Sequence, residues 1–318
     1  MKTLISVLIP CYNEQENVIP ISQAVEQVLQ KELPQYDYEI LFIDNCSTDN
    51  TRPLLREICR NNKKVRAIFN ARNFGQFNSP YYGIQQTKGA CTISLCCDFQ
   101  DPVELIPVFV HEWEKGARIV AGIKTQSDEN KLVRFLRTCY YKIIHKMSQV
   151  EQIEHFTGFG LYDKSFIDVL RNLHDPTPFL RGIVAELGFK RVDIPYRQAR
   201  RKAGKTHNDW YSLFDAAMLS FTSYTKVGLR FATFGGIAVS LLSIAVAIYY
   251  LVYKLLHWYT FSAGIIPLII GTFLLGGIQL FFIGFLGEYI MSMNNRIMNR
   301  PLVVEEERIN FDEEKELQ

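Results

Sequence analysis

The apolar positions along the chain follow two different patterns. From Leu4 to Gly122, short runs rich in Val, Ile and Phe alternate with longer segments whose apolar residues return at helical spacing. The runs are Leu4 to Pro10, Tyr38 to Asp44, Val65 to Asn70, Cys91 to Asp98 and Arg118 to Gly122. The helical segments are Asn17 to Gln30, Thr51 to Asn61, Ser79 to Thr87 and Pro102 to Lys115. This alternation predicts an α/β domain with a mostly parallel, Rossmann-like sheet covered on both faces. In such sheets ligands bind beyond the carboxyl ends of the strands. Polar residues gather at three of those ends: Pro10-Cys11-Tyr12-Asn13-Glu14, Asp44-Asn45-Cys46-Ser47-Thr48-Asp49 and Asp98-Phe99-Gln100-Asp101.

The second pattern comes late in the chain. Phe231 to Tyr253 and Trp258 to Gly287 are uncharged and strongly apolar. Roughly 20 apolar residues suffice to cross a bilayer as a helix, so these stretches predict a two-helix transmembrane hairpin. Two buried core helices are the alternative, and the length of the second stretch argues against them. Lys226 and Arg230 precede the pair, Arg296 and Arg300 follow it, and the connection carries only Lys254 and His257. The positive-inside rule then puts both ends in the cytoplasm, with Lys254 able to snorkel from a helix end. The predicted organisation is a cytoplasmic domain over residues 1–225, two membrane helices over 226–290 and a cytoplasmic tail over 291–318. The protein is expected in the inner, cytoplasmic membrane as a multi-pass protein. In the tail, Leu302-Val303-Val304 reads as a short strand, followed by a mobile acidic stretch.

Two further segments point to the membrane face. Between Lys131 and Met147, the residues Leu132, Phe135, Leu136, Cys139, Ile143 and Met147 repeat at helical spacing. Lys131, Arg134, Arg137, Lys142 and Lys146 lie between them, with no acid from Lys131 to Lys146. A basic amphipathic helix near 128–148 can lie on an anionic membrane surface, or be an ordinary surface helix. A second apolar stripe, Trp210, Leu213, Phe214, Ala217 and Phe221, predicts another interfacial helix near 208–225. From Arg197 to His207 the chain is basic, acid-free and broken by Gly204. Such a loop suits a bound phosphate or, equally, anionic headgroups.

Composition changes this picture little. A formal net charge of +2 over 318 residues gives no case for nucleic acid as a partner. Met1 to Pro10 lacks a small-residue cleavage site and reads as a first strand rather than a signal peptide. The seven cysteines show no paired metal-ligand spacing and read as reduced. The candidate chemistry centres on Asp98-Phe99-Gln100-Asp101-Pro102, which puts three oxygen-bearing side chains on a strand-to-helix turn. Magnesium commonly takes one or two carboxylates plus substrate phosphates. An aspartate at a helix start is also often just a cap.

Taken together these segments resemble the membrane-anchored polyprenyl-phosphate glycosyltransferases, relatives of dolichyl-phosphate mannose synthase in inverting glycosyltransferase family two, with the GT-A fold. The carriers are Val7-Leu8-Ile9-Pro10-Cys11-Tyr12-Asn13-Glu14, Ile43-Asp44-Asn45-Cys46-Ser47-Thr48-Asp49, Arg72-Asn73-Phe74-Gly75, Asp98-Phe99-Gln100-Asp101-Pro102 and Gly284-Phe285-Leu286-Gly287-Glu288-Tyr289-Ile290. The resemblance implies transfer of one sugar from a nucleotide sugar, UDP-linked, to polyprenyl (undecaprenyl) phosphate for cell-envelope glycans. It implies that Pro10, Tyr12, Glu14, Asp44 and Asp98 bind the nucleotide. Asp98 and Gln100 would hold the diphosphate with Mg2+ or Mn2+. Lys124, Arg134, Thr138, Arg201 and Lys205 would hold the acceptor phosphate, with Asp98, Gln100, Lys124 and Arg134 as the catalytic set. A homotetramer and a separate flippase are further expectations.

The chain departs from the family pattern at several positions. Cys96 stands where relatives often have the first aspartate of Asp-x-Asp, and Asn45-Cys46 replaces Asp-Gly. Lys124 falls where arginine is common, His207 where a relative has lysine, and a glycine in Phe156-Thr157-Gly158-Phe159-Gly160 where some carry aspartate. Two other functions stay in view. A processive polysaccharide synthase would need a Gln-x-x-Arg-Trp motif, absent here, and more spans. A non-catalytic nucleotide-sugar-binding scaffold would have lost turnover with the residue now Cys96.

Overall fold

The computed structural model describes residues 2–126, 153–199, 227–257, 265–298 and 300–311. Its centre is an eight-stranded sheet in the order β7-β5-β6-β4-β1-β2-β3-β8. The strands are β1 (Leu4–Cys11), β2 (Asp37–Asp44), β3 (Val65–Asn70), β4 (Cys91–Ser94), β5 (Ile119–Gln126), β6 (Phe156–Asp163), β7 (Arg191–Arg197) and β8 (Glu305–Ile309). The unit β3-β2-β1-β4 is parallel throughout. Strand β6 enters antiparallel between β4 and β5, and β7 runs parallel to β5. This is the mostly parallel α/β arrangement expected of a GT-A-like fold.

The helices follow from the apolar spacing. They are α1 (Val18–Glu32), α2 (Thr51–Asn61), α3 (Gly75–Gln85), α4 (Ile106–Glu114), α5 (Lys164–Leu173) and α6 (Leu180–Glu186). Val18, Ile21, Val25 and Leu29 of α1 share one face at helical spacing and are buried against Val7, Ile9, Ile40 and Phe42. Leu8, Leu41, Ile43 and Ile68 point to the opposite face and pack with Tyr81 and Ile84 of α3. The central strands are therefore apolar on both sides, as strands covered by helices on both faces must be. Asp163 caps α5 by accepting from Ser165 N at 2.9 Å.

Several boundaries differ from the sequence reading. The fourth strand ends at Ser94, so Asp98 sits on a loop beyond the sheet. Phe99 has a φ of +59°, which no strand accommodates. The third helix starts earlier, at Gly75, whose φ of +89° suits glycine. In the tail, Leu302-Val303-Val304 is not the strand. The charged stretch Glu305–Ile309 is, and it pairs antiparallel with β3.

Two long helices, α7 (Val227–Leu256) and α8 (Ile265–Ile297), follow β7 in the chain. Two spans were expected. Among the described residues one segment, Leu274–Ile297, is long and apolar enough to cross a membrane. It lies later than the expected Trp258 to Gly287, and 258–264 fall outside the described residues. Leu280, Phe281, Ile283 and Ile290 are exposed along it. The expected interfacial helices near 128–148 and 208–225 also lie outside the described residues.

Close packing makes β6 a sensitive strand. A Cβ built on Gly160 would stand 2.4 Å from the Val120 carbonyl oxygen on β5. Backbone cannot yield as a flexible side chain does, so Gly160→Ala should lower stability by about 1–3 kcal/mol. Thermal unfolding of the purified full-length variant checks this, and an unchanged midpoint would contradict the packing argument.

Candidate functional site

The strand order turns around β1, whose carboxyl end lies between those of β2 and β4. In open α/β sheets such a switch point is where a ligand crevice forms. Here the loops after β1 and β2 are laced together. Asn13 sits at φ +54°, donates its N–H to Ser47 Oγ at 2.8 Å and accepts from Thr48 N at 2.8 Å. Glu14 N donates to Thr51 Oγ1 at 2.8 Å, and its Oε2 accepts from Asn17 at 2.6 Å. Gln15 N donates to Asp49 at 3.2 Å, and Asn50 N to Gln15 Oε1 at 3.0 Å. Of the residues expected at the nucleotide, Pro10 and Tyr12 are half-buried and Glu14 is buried.

Asp44 occupies a different position from these. Its carboxylate has no exposed surface. It accepts from Ser47 N at 3.3 and 3.1 Å and from Arg52 Nε at 2.8 Å. It therefore holds the turn after β2 from beneath, including Cys46 at φ +65°. Burial alone would lower the Arg52 guanidinium pKa, but the hydrogen bonds it donates to Asp44 and Glu306 hold it above the ordinary value.

Asn45 secures the neighbouring loop. Its amide nitrogen donates to Asn73 Oδ1 at 2.9 Å and to Gly75 O at 3.2 Å. Its carbonyl accepts from Asn70 Nδ2 at 3.1 Å and Phe74 N at 2.9 Å. Gly75 N fixes the orientation of Asn73 by donating to its Oδ1 at 2.8 Å. A carboxylate at position 45 could not donate, which accounts physically for asparagine in place of the commoner aspartate.

The third strand end carries the acidic turn. Asp98 is half-buried, and its Oδ1 accepts from Gln100 N at 3.1 Å. Asp101 turns inward instead. It is buried and accepts from Cys96 N at 3.0 Å and from the Tyr196 hydroxyl at 3.0 Å. Of the three oxygen-bearing side chains read on this turn, Asp101 therefore serves the fold. Burial, then the nearby Asp98 charge, raises its carboxyl pKa. Burial and Asp101 likewise raise the Tyr196 hydroxyl. Cys96 is exposed but closely surrounded, and poor solvation with the charges of Asp101 and Asp98 pushes its thiol well up. A protonated thiol is a poor ligand for a hard cation.

Tyr196 and Gln198 were not foreseen from the sequence. They carry the end of β7 onto the acidic turn. Ala199 N donates to Gln100 O at 3.3 Å, and Gln198 Nε2 to Gln100 Oε1 at 3.4 Å. The basic run beginning at Arg197 thus starts against Asp98-Phe99-Gln100-Asp101. Lys124 is half-buried on β5 in parallel register with Tyr196. Arg134, Thr138, Arg201 and Lys205 lie outside the described residues.

Among the described residues no group of three His, Cys, Asp or Glu side chains could enclose a metal ion. The turn suits a cation that takes few protein ligands. The half-buried Asp98 and Gln100 would be the protein residues to hold it, and a diphosphate and water would supply its other ligands.

Comparisons with known proteins give the family. Residues 6–188 match the family model for glycosyl transferase family 2. The uncharacterized glycosyltransferase YkoT of Bacillus subtilis is 30% identical over 94% of this chain and 90% of its own. A prophage bactoprenol glucosyl transferase homolog of Escherichia coli is 29% identical over 93% and 96%. The bactoprenol glucosyl transferase of Shigella phage SfII is 29% identical over the same shares.

Two outcomes are expected at this site. Asn45→Asp sets lone pairs against Asn73 Oδ1 and Gly75 O, and should cost about 1–3 kcal/mol of stability. Chemical denaturation measures it, and wild-type stability would refute the network. The second concerns pH. A carboxyl with a raised folded pKa stabilises the fold below its ordinary value near 3.8 and loses that contribution as pH rises through the raised value. Asn at position 101 can accept from Cys96 N and donate to Tyr196. Asp101→Asn should therefore gain stability relative to wild type as pH rises from about 4 through that window. Parallel pH-stability curves for the two proteins would contradict this.

Proposed function

The chain belongs to glycosyl transferase family 2, and from that premise we propose that it moves one sugar from a nucleotide sugar to polyprenyl phosphate at the cytoplasmic membrane face. The observation that carries this reading is the junction of the basic run after β7 with the acidic turn at Asp98, through Ala199 N and Gln100 O at 3.3 Å. It sets the start of a segment assigned here to phosphate beside the turn whose Asp98 is assigned to the diphosphate. The bactoprenol glucosyl transferases among the relatives support a polyprenyl acceptor.

The donor side is assigned to Pro10, Tyr12 and Glu14, with Asp44 acting from beneath its turn and Asp98 and Gln100 at the diphosphate. A divalent cation, Mg2+ or Mn2+, would neutralise charge on the departing diphosphate. The acceptor side is assigned to Lys124, Arg134, Thr138, Arg201 and Lys205. Arg134 and Thr138 are four apart, a spacing that puts both on one face of a helix. A phosphate monoester is already anionic at neutral pH, so no general base is required of the protein. Its residues would align the phosphate oxygen behind the anomeric carbon, and a single displacement inverts that centre.

The same reading makes α7 and α8 a membrane hairpin. Strand β7 precedes them and β8 follows them, and both lie in the one sheet. A chain that returns to the sheet it left must cross a bilayer an even number of times. A lone crossing by α8 is therefore disfavoured, and two crossings agree with the apolar stretch at Phe231 to Tyr253.

Membranes carrying the protein, supplied with undecaprenyl phosphate and a panel of labelled nucleotide sugars, test the function. Label should enter the lipid fraction from one donor. Asp98→Asn or excess chelator should remove most transfer, and full activity in chelator would refute the metal. A charge-assisted hydrogen bond is worth about 1.5–3 kcal/mol, so Arg134→Ala should weaken acceptor use about tenfold or more. Donor affinity should hardly change. A large loss of donor binding with normal acceptor dependence would move Arg134 to the diphosphate.

A further inference from the structure

Strand β8 carries an irregularity that aims two of its acids at one helix. Phe69 pairs with Glu307 and Asn70 with Glu305, so Glu306 is the extra residue of a β-bulge. In a regular strand neighbouring residues face opposite ways. Here Glu306 and Glu307 both reach α2: Glu306 meets Arg52 at 3.0 Å and Glu307 meets Arg56 at 2.7 Å. Arg52 and Arg56 are four apart on one helix face, and both lie over the Phe69 ring. Glu305 and Arg308 take the other face, where Arg308 donates to Tyr82 at 3.1 Å and Gln86 at 2.9 Å on the α3 side.

The two ion pairs differ in what lies beyond them. Arg56 donates to Glu307 through Nε and Nη2 and, among the described residues, makes no hydrogen bond toward the site. Arg52 spans three partners at once: Asp44 through Nε at 2.8 Å, Asn70 O through Nη2 at 2.7 Å and Glu306 through Nη1. Asp44 in turn holds Ser47 N, and Ser47 Oγ accepts from Asn13 N. An unbroken chain of polar contacts thus joins the strand that follows α8 to the loops after β1 and β2.

We propose that Arg52 is a positioning residue for the nucleotide pocket, and that Glu306, delivered by the bulge in β8, sets it. The returning tail then completes the donor side in cis. Arg52 touches no substrate in this scheme. It fixes the rotamer of Asp44 and with it the turn from Asn45 to Thr48. The inference rests on the reading that this turn binds the donor nucleotide.

The test uses full-length protein in lipid nanodiscs, titrated with uridine diphosphate and, in parallel, guanosine diphosphate, in the presence of Mn2+. The variants are Glu306→Ala, Glu307→Ala, Arg52→Lys and Asp44→Asn, each checked by thermal unfolding. Glu307→Ala is the structural control, because it removes a comparable ion pair from the same strand and helix. Loss of a partly exposed pair should show as about a three- to fivefold weaker nucleotide affinity in Glu306→Ala, against a change within about twofold in Glu307→Ala. Arg52→Lys keeps the charge but cannot span three partners, so it should not rescue binding, and adding Glu306→Ala to it should cause little further loss. The inference is overturned if Glu306→Ala binds nucleotide like wild type, or if both glutamate variants weaken it equally. Should Asp44→Asn weaken binding while Glu306→Ala does not, only the coupling fails. Should Asp44→Asn also bind normally, the donor assignment of the turn fails with it.

Discussion

A carboxylate with no exposed surface must be compensated, and the arrangement around Asp44 follows from that requirement. Removing one partner from a buried ion pair leaves an unpaired charge, which typically costs about 3–5 kcal/mol. Asp44 ends β2 at the switch point of the sheet and cannot relax into water. Arg52 in the first turn of α2 therefore has to be present, and its remaining nitrogens need acceptors of their own. Asn70 O at the end of β3 supplies one and Glu306 on β8 the other. Strand β2 carries a second buried acid, Glu39, away from the site: Arg66 lies 2.7 Å from its Oε2 as an ion pair, and Ser6 Oγ and Lys88 N donate to its Oε1. Of these two acids only Asp44 stands at the switch point of the sheet.

The central sheet was legible because its strands are apolar on both faces and its helices show a clear apolar stripe. Leu4–Cys11, Asp37–Asp44 and Val65–Asn70 stand out as runs that no helical period explains. Strand β8 was not legible, since four of its five residues are charged. Two of its three acids are matched by arginines on α2 that lie some 250 residues away in the chain, and the bulge removes even the period of two. Strands β6 and β7 were missed for a related reason. Glycines interrupt β6, and β7 places most of its side chains at least half-exposed.

Within the site, the residues that local sequence identified are those at strand ends. Pro10, Tyr12, Glu14, Asp44, Asp98 and Gln100 all lie where the topology gathers polar groups. What sequence could not give was the direction each faces. Asp98 and Asp101 are three apart on one turn, yet Asp98 is partly open and Asp101 is closed off by Tyr196, which is 95 positions away in the chain. The departures at Asn45 and Cys96 also separate once geometry is known. Asn45 is required by a donor-and-acceptor network that aspartate could not satisfy. Cys96 contributes its backbone N–H to Asp101, and a raised pKa keeps its thiol protonated.

The dependence on Asp44 extends to the long helices. Because Arg52 draws on Glu306, the tail after α8 is needed at the sheet, and its pairing with β3 fixes where the chain re-enters the domain. Arg296 near the end of α8 lies 3.9 Å from Asp175, which ties that helix end to the loop after α5. The segment that leaves beside the acidic turn and the segment that returns beside Asp44 therefore flank the crevice from opposite edges of the sheet. Glu306 lies nine residues beyond the end of α8 and meets the only guanidinium that compensates Asp44 among the described residues. The place where the chain returns to the sheet and the shape of the turn after β2 are in this way parts of a single electrostatic requirement.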